Sequence, residues 1–62
     1  MNIIQTNKLN KNDFLQLYEI DKTFYISIIN KEQEAIKYFK KTNNYKYAFS
    51  WYNFLYYSKL KI

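Results

Sequence analysis

The sequence predicts an α+β domain in which a small N-terminal β-hairpin or sheet is packed by two C-terminal helices. An all-helical three-helix domain is the alternative. Three observations carry the prediction. A β-branched and aromatic run occupies residues 23–29; a capping pattern opens at Asn30; and polar residues gather in one sector when residues 45–61 are projected on a helix.

Residues 23–29, Thr-Phe-Tyr-Ile-Ser-Ile-Ile, suit a buried strand, because such side chains fit a pleated surface and lose rotamer freedom in a helix. Residues 14–20 can pair with it across Asp21-Lys22, although a two-residue turn without Gly is not the favoured chemistry. A short helix competes for the same residues, since Phe14, Leu17 and Tyr18 sit at helical spacing behind Asp13, a candidate N-cap. Residues 2–6 offer a third strand. Neither Gly nor Pro occurs. Turns are therefore expected where Asn and Asp cluster, at residues 10–13, 21–22 and 43–44.

Asn30-Lys31-Glu32-Gln33 reads as a capping box, so a helix is expected to start there and end near Thr42. Ala35, Ile36 and Phe39 would form its inner face, with Lys37, Lys40 and Lys41 outside. From Tyr45 to Leu60 the residues first alternate as a strand would, but Lys46, Ser50, Asn53, Tyr57 and Lys61 converge at about 100° per residue, the helical pattern. The apolar arc of this second helix is wide. Ala48, Tyr52, Leu55 and Tyr56 form one side, and Tyr47, Trp51 and Phe54 an adjacent one. One side suffices for a core, and an exposed remainder marks an interaction site.

The 62 residues make a single small domain, 1–62, that buries only about 60% of the surface its unfolded form exposes. With no Cys and no His there is no disulfide framework and no thiolate or imidazole metal site, so neither metal nor cofactor is expected. Aromatic packing must substitute: the chain has 5 Phe, 8 Tyr and 1 Trp. Asn, Ile, Lys, Tyr and Phe, all encoded by AT-rich codons, make up well over half the chain, as in proteins of AT-rich bacteria, plasmids and phages. All ten cationic residues are Lys. Lacking Arg, the chain has no side chain for bidentate reading of guanine.

The N-terminal nine residues hold no apolar signal region, and the run from Tyr47 to Tyr57 falls short of the roughly 20 residues of a spanning helix, so a cytoplasmic location is expected. Catalysis is not expected either. Imidazole and thiol are missing, the acids Glu19/Asp21 and Glu32/Glu34 stand at i, i+2 and do not share a helix face, and no phosphate-cradling Gly loop exists.

Charge is unevenly placed. Residues 1–30 hold three Lys and three acids, whereas residues 31–62 hold seven Lys and two Glu, the whole net charge of +5. A lysine-rich surface with aromatic anchors suits a non-enzymatic accessory or inhibitor protein, of the kind a phage or other mobile element encodes, bound to a larger protein. A nucleic-acid enzyme or a second copy of the chain are versions of that partner. Tyr47, Trp51 and Phe54 are the expected anchors, and Lys37, Lys40, Lys41 and Lys46 the charged rim. The alternative is sequence-independent nucleic-acid binding by the same Lys and aromatic residues. A second alternative is a membrane-surface helix.

Overall fold

A computed structural model describes residues 1–60, apart from the side chains of Tyr38, Lys59 and Leu60. Lys61, expected on the polar side of the last helix, lies outside the described residues. The chain is α+β. Strands β1 (Asn2–Lys8), β2 (Asp13–Ile20), β3 (Thr23–Asn30) and β4 (Ala35–Thr42) form an antiparallel sheet in sequence order, and α1 (Tyr45–Leu60) packs on one face of it.

Residues 14–20 are a strand, not a helix: β2 pairs with β3 from Asp13↔Asn30 to Ile20↔Thr23. The two-residue turn between them holds both Asp21 (φ 49°) and Lys22 (φ 66°) in the left-handed region. Positive φ at both centres is the type I′ turn, one of the two hairpin turns whose twist matches that of the flanking strands. Asp tolerates this conformation; Lys22 bears a Cβ penalty there. The third strand expected over residues 2–6 is present as β1, extended to Lys8.

The expected helix after Asn30 does not form; among the described residues only one helix follows the sheet. Ala35–Thr42 is β4, and Lys37, Lys40 and Lys41 lie on an edge strand. The cap itself is present, since the Gln33 N–H donates to Asn30 Oδ1 at 2.7 Å. Glu34 then turns to φ 51° and sends the chain back along β3. The helical spacing of Ile36 and Phe39 has a different cause. Ile29 faces Ile36 and Ile28 faces Tyr38, so β4 carries one extra residue, a bulge. The bulge stretches the strand period from two to three at that point. Ile36, Phe39 and Lys41 thus share one sheet face at a spacing that imitates a helix.

The helix expected over residues 45–60 is present, and Asn44 caps it. Its Oδ1 accepts the Tyr47 N–H at 3.2 Å, and the Ala48 N–H donates to the Asn44 carbonyl at 3.0 Å. The side made of Ala48, Tyr52, Leu55 and Tyr56 faces the sheet. Leu15 and Leu17 of β2 and Ile26 and Ile28 of β3 meet Ala48 and Tyr52 in the core, with Leu55 and Tyr56 packed around them. The small Ala48 lets the helix backbone approach. Tyr52 is fully buried, and its hydroxyl reaches Asn7 Oδ1 of β1 and lies 3.2 Å from the Leu15 carbonyl oxygen. One side chain thus ties the helix to two strands.

Burial, with Tyr56 nearby as a lesser cause, pushes the Tyr52 phenol up from 10.0 to about 12. The neutral form is the one the fold favours. Its contribution is complete below the unfolded value near 10.0 and is lost as pH rises through about 12. Tyr52→Phe should flatten that alkaline loss in urea melts recorded across this range; an equally steep loss in the variant would show that other groups cause it. Lys22→Gly should raise stability by about 1 kcal/mol, read as a higher urea midpoint at unchanged slope. An unmoved midpoint would mean that the turn stores no strain at Lys22.

Candidate binding surfaces

Beyond the core-facing side of α1, its aromatic residues meet β4. The Tyr47 and Trp51 rings stack with centroids 6.3 Å apart, and Lys40 Nζ sits 4.1 Å above the centre of the Trp51 ring. Lys40 reaches this place because it pairs with Ile26, whose side chain lies beneath the helix. A cation over a partly exposed indole contributes about 0.5–1 kcal/mol. It also fixes the ring plane. Trp51 is half-buried and packs against the core, while Tyr47 is 61% and Phe54 69% exposed.

The expected site residues therefore separate. Tyr47, Trp51 and Lys40 form one cluster, with Phe54 one turn along the helix from Trp51 and Lys46 exposed at the helix start. Lys37 is engaged elsewhere, by Asp13 at 3.1 Å. Lys41 pairs with Tyr25 and lies on the face of the sheet that the helix does not cover. The rim foreseen across two helices is spread over both sheet faces, one sheet end and the start of α1.

That end is a polar cluster around Asp13, whose side chain is 12% exposed. Asn10 closes the β1–β2 turn by accepting the N–H groups of Asn12 and Asp13 on its Oδ1, and its amide donates to Asp13 Oδ2 at 3.0 Å. Asn30 donates to Asp13 Oδ1 at 2.9 Å, and Lys37 Nζ to Oδ2 at 3.1 Å. The Asn10 hydrogen bond, then that of Lys37, hold the carboxyl below its ordinary 3.8 against the opposing effect of burial. Asp13, a candidate cap only in the competing helical reading, joins the β1–β2 turn to β3 and β4.

The second surface was not foreseen. Opposed pairs on the uncovered face are Phe14 with Ile29, Gln16 with Ser27, Tyr18 with Tyr25 and Ile20 with Thr23. The Tyr18 and Tyr25 rings stack at 5.3 Å, nearly parallel, and Phe39 follows Tyr25 at 5.5 Å. This row of rings buries Ser27, whose Oγ lies 3.1 Å from the Tyr18 hydroxyl. Lys31 Nζ stands 4.6 Å over the Phe14 ring at one end. At a corner, a shallow open depression of about 350 Å³ is lined by Thr23, Tyr25, Lys41, Thr42 and Asn43. The signal for this face was in the sequence: in Phe-Leu-Gln-Leu-Tyr and Phe-Tyr-Ile-Ser-Ile-Ile the phase opposite the core is also mainly apolar, broken only by Gln16 and Ser27, which approaches the pattern of strands covered on two sides.

No three His, Cys, Asp or Glu side chains cluster among the described residues, and no helix there is long and apolar enough to cross a membrane. No protein-family model, curated protein or solved structure matches the chain.

The depressed Asp13 value has a measurable consequence. Its stabilisation is in place above the unfolded value near 3.8 and is lost as pH falls through the lower folded value. In Asp13→Asn the acid limb of the stability curve should flatten. An unchanged limb would show that Asn10 and Lys37 do not hold the carboxylate.

Proposed function

We propose that the chain is a small non-enzymatic binding protein, an accessory or inhibitor that docks on a larger cytoplasmic protein through the outer side of α1. The observation that carries this reading is the pairing of Tyr47 with Trp51 under Lys40, beside the exposed Phe54. The core does not need these rings' outer surfaces, because Ala48, Tyr52, Leu55 and Tyr56 already close the helix onto the sheet. Large aromatic side chains held in one orientation lose little further freedom on binding, which suits them to anchor an interface. Lys40 and Lys46 beside them favour a partner surface that carries carboxylates. Phage and other mobile elements supply many small proteins of this type, and a nucleic-acid enzyme is one partner whose surface chemistry fits.

Trp51→Ala should weaken partner binding by about 2 kcal/mol or more if Trp51 is a central anchor. The experiment is capture of partners from lysate on the tagged chain after nuclease treatment, followed by titration of the purified partner against wild type, Trp51→Ala and Phe54→Ala. The reading requires one stoichiometric protein, retained after nuclease and released by both substitutions. Equal affinity of folded Trp51→Ala would refute it. Capture that disappears with nuclease would instead assign the lysines to phosphate binding.

A further inference from the structure

The helix covers one face of the sheet, and the other face is largely apolar. Phe14, Tyr18, Tyr25, Ile29, Ile36 and Phe39 occupy it around a polar middle row of Thr6, Gln16 and the buried Ser27, with Ile36 59% and Phe39 51% exposed. We propose that this face pairs with the same face of a second copy about a two-fold axis. The two sheets then form a sandwich with both helices outside.

Area is the first support. At about 4.8 Å between strands and 3.3 Å per residue, four strands of about eight residues present a flat face of about 500 Å². Side-chain relief raises that toward the roughly 600–1,000 Å² per partner of a stable interface.

The placement of charge is the second. Both strand carboxylates, Asp13 and Glu19, belong to the helix side, since Asp13 shares a face with Leu15 and Leu17, and Glu19 pairs with Phe24, which packs on the core. The strand lysines on the uncovered face are Lys8, opposite Phe14 on β1, and Lys41, opposite Tyr25 on β4. They occupy diagonal corners. A two-fold axis in the interface, running along the strands, sets Lys8 over the partner's Ile36 and Lys41 over the partner's Ile3. Running across the strands, it exchanges those two contacts. In either case the four strand ammonium groups fall at four separate corners, at the rim, and the middle row of Thr6, Gln16, Ser27 and Phe39 carries no charge. Self-pairing thus sets no strand lysine directly against another, and each strand lysine stem can lie along apolar surface with its head in water; Lys31, from the β3–β4 connection, stays over the Phe14 ring at the end of the face.

The sheet edges supply the third. β1 and β4 are both edge strands, each carries a bulge, between Ile3 and Gln5 and between Ile36 and Tyr38, and each bears lysine. Bulges and lysines discourage edge-to-edge pairing. Association is left to the face.

The helix side lies on the opposite surface, so this inference stands apart from the reading of Trp51. It is tested on the full chain by sedimentation equilibrium at low and high salt, with Ile36→Lys, Phe39→Lys and Trp51→Ala, each checked for folding by circular dichroism. The expected result is a species of twice the 7.8 kDa chain mass. It should tighten with salt, because each copy carries +5 and screening relieves their repulsion. Either lysine substitution should halve the mass, and Trp51→Ala should leave it unchanged. A monomer at every concentration overturns the proposal, as does a dimer that survives both lysine substitutions. Labelled oligo(dT) provides the opposing arm: binding that Phe39→Lys alters, and that salt releases, would assign the face to single-stranded nucleic acid.

Discussion

Burial of Leu15, Leu17, Ile26 and Ile28 beneath a single helix is the constraint to which the other features answer. Four strand residues on one face need a cover, and only α1 is available to supply it. Ala48 is small so that the helix can come close, and Tyr52 fills the remaining depth and brings its hydroxyl to Asn7 and the Leu15 carbonyl. A chain of 62 residues without disulfide or metal has little else to hold it, so the quality of this one contact matters more than in a larger domain. The cost of the arrangement appears on the other side of the sheet, where a second set of apolar residues has no covering element among the described residues.

Lysine placement follows from the same geometry. Read as a helix surface, Lys37, Lys40 and Lys41 would be an ordinary solvated face. On an edge strand with a bulge they take three different tasks: Lys37 neutralises Asp13 at the sheet end, Lys40 crosses the helix side to lie over Trp51, and Lys41 marks a corner of the uncovered face. The extra residue of the bulge makes this possible, because it changes which side of the strand each following lysine faces.

Much of this was legible in the residues. The strand at 23–29, its hairpin partner, the N-terminal strand and the last helix with its core-facing side were all readable from β-propensity and from the convergence of Lys46, Ser50, Asn53 and Tyr57. What was hidden was hidden for physical reasons. Asn30 makes its capping hydrogen bond whether a helix or a hairpin loop follows, and the left-handed turn at Glu34 that decides between them leaves no mark in a chain without Gly. Ile36 and Phe39 acquired helical spacing from a bulge, which only pairing with β3 defines. For the candidate site, Tyr47 and Trp51 could be placed together from sequence, but Lys40 could join them only once β4 was known to be a strand. The uncovered face was readable in principle, from strands whose second phase is apolar but for Gln16 and Ser27, yet such strands are equally expected in a two-sided core.

Strand order carries a kinetic meaning. Each strand pairs only with its sequence neighbours, so the sheet can assemble by local zipping, hairpin after hairpin, as the chain emerges during synthesis. The helix is made last, and its Tyr52 closes on Asn7, 45 residues earlier. Completion of the domain therefore waits for its final quarter, and until then the apolar residues of both sheet faces stand open to water. The first strand, for its part, stays an unanchored edge until that closure. β1 and the helix depend on each other, so trimming β1 would loosen the helix, and losing the helix would release the strand.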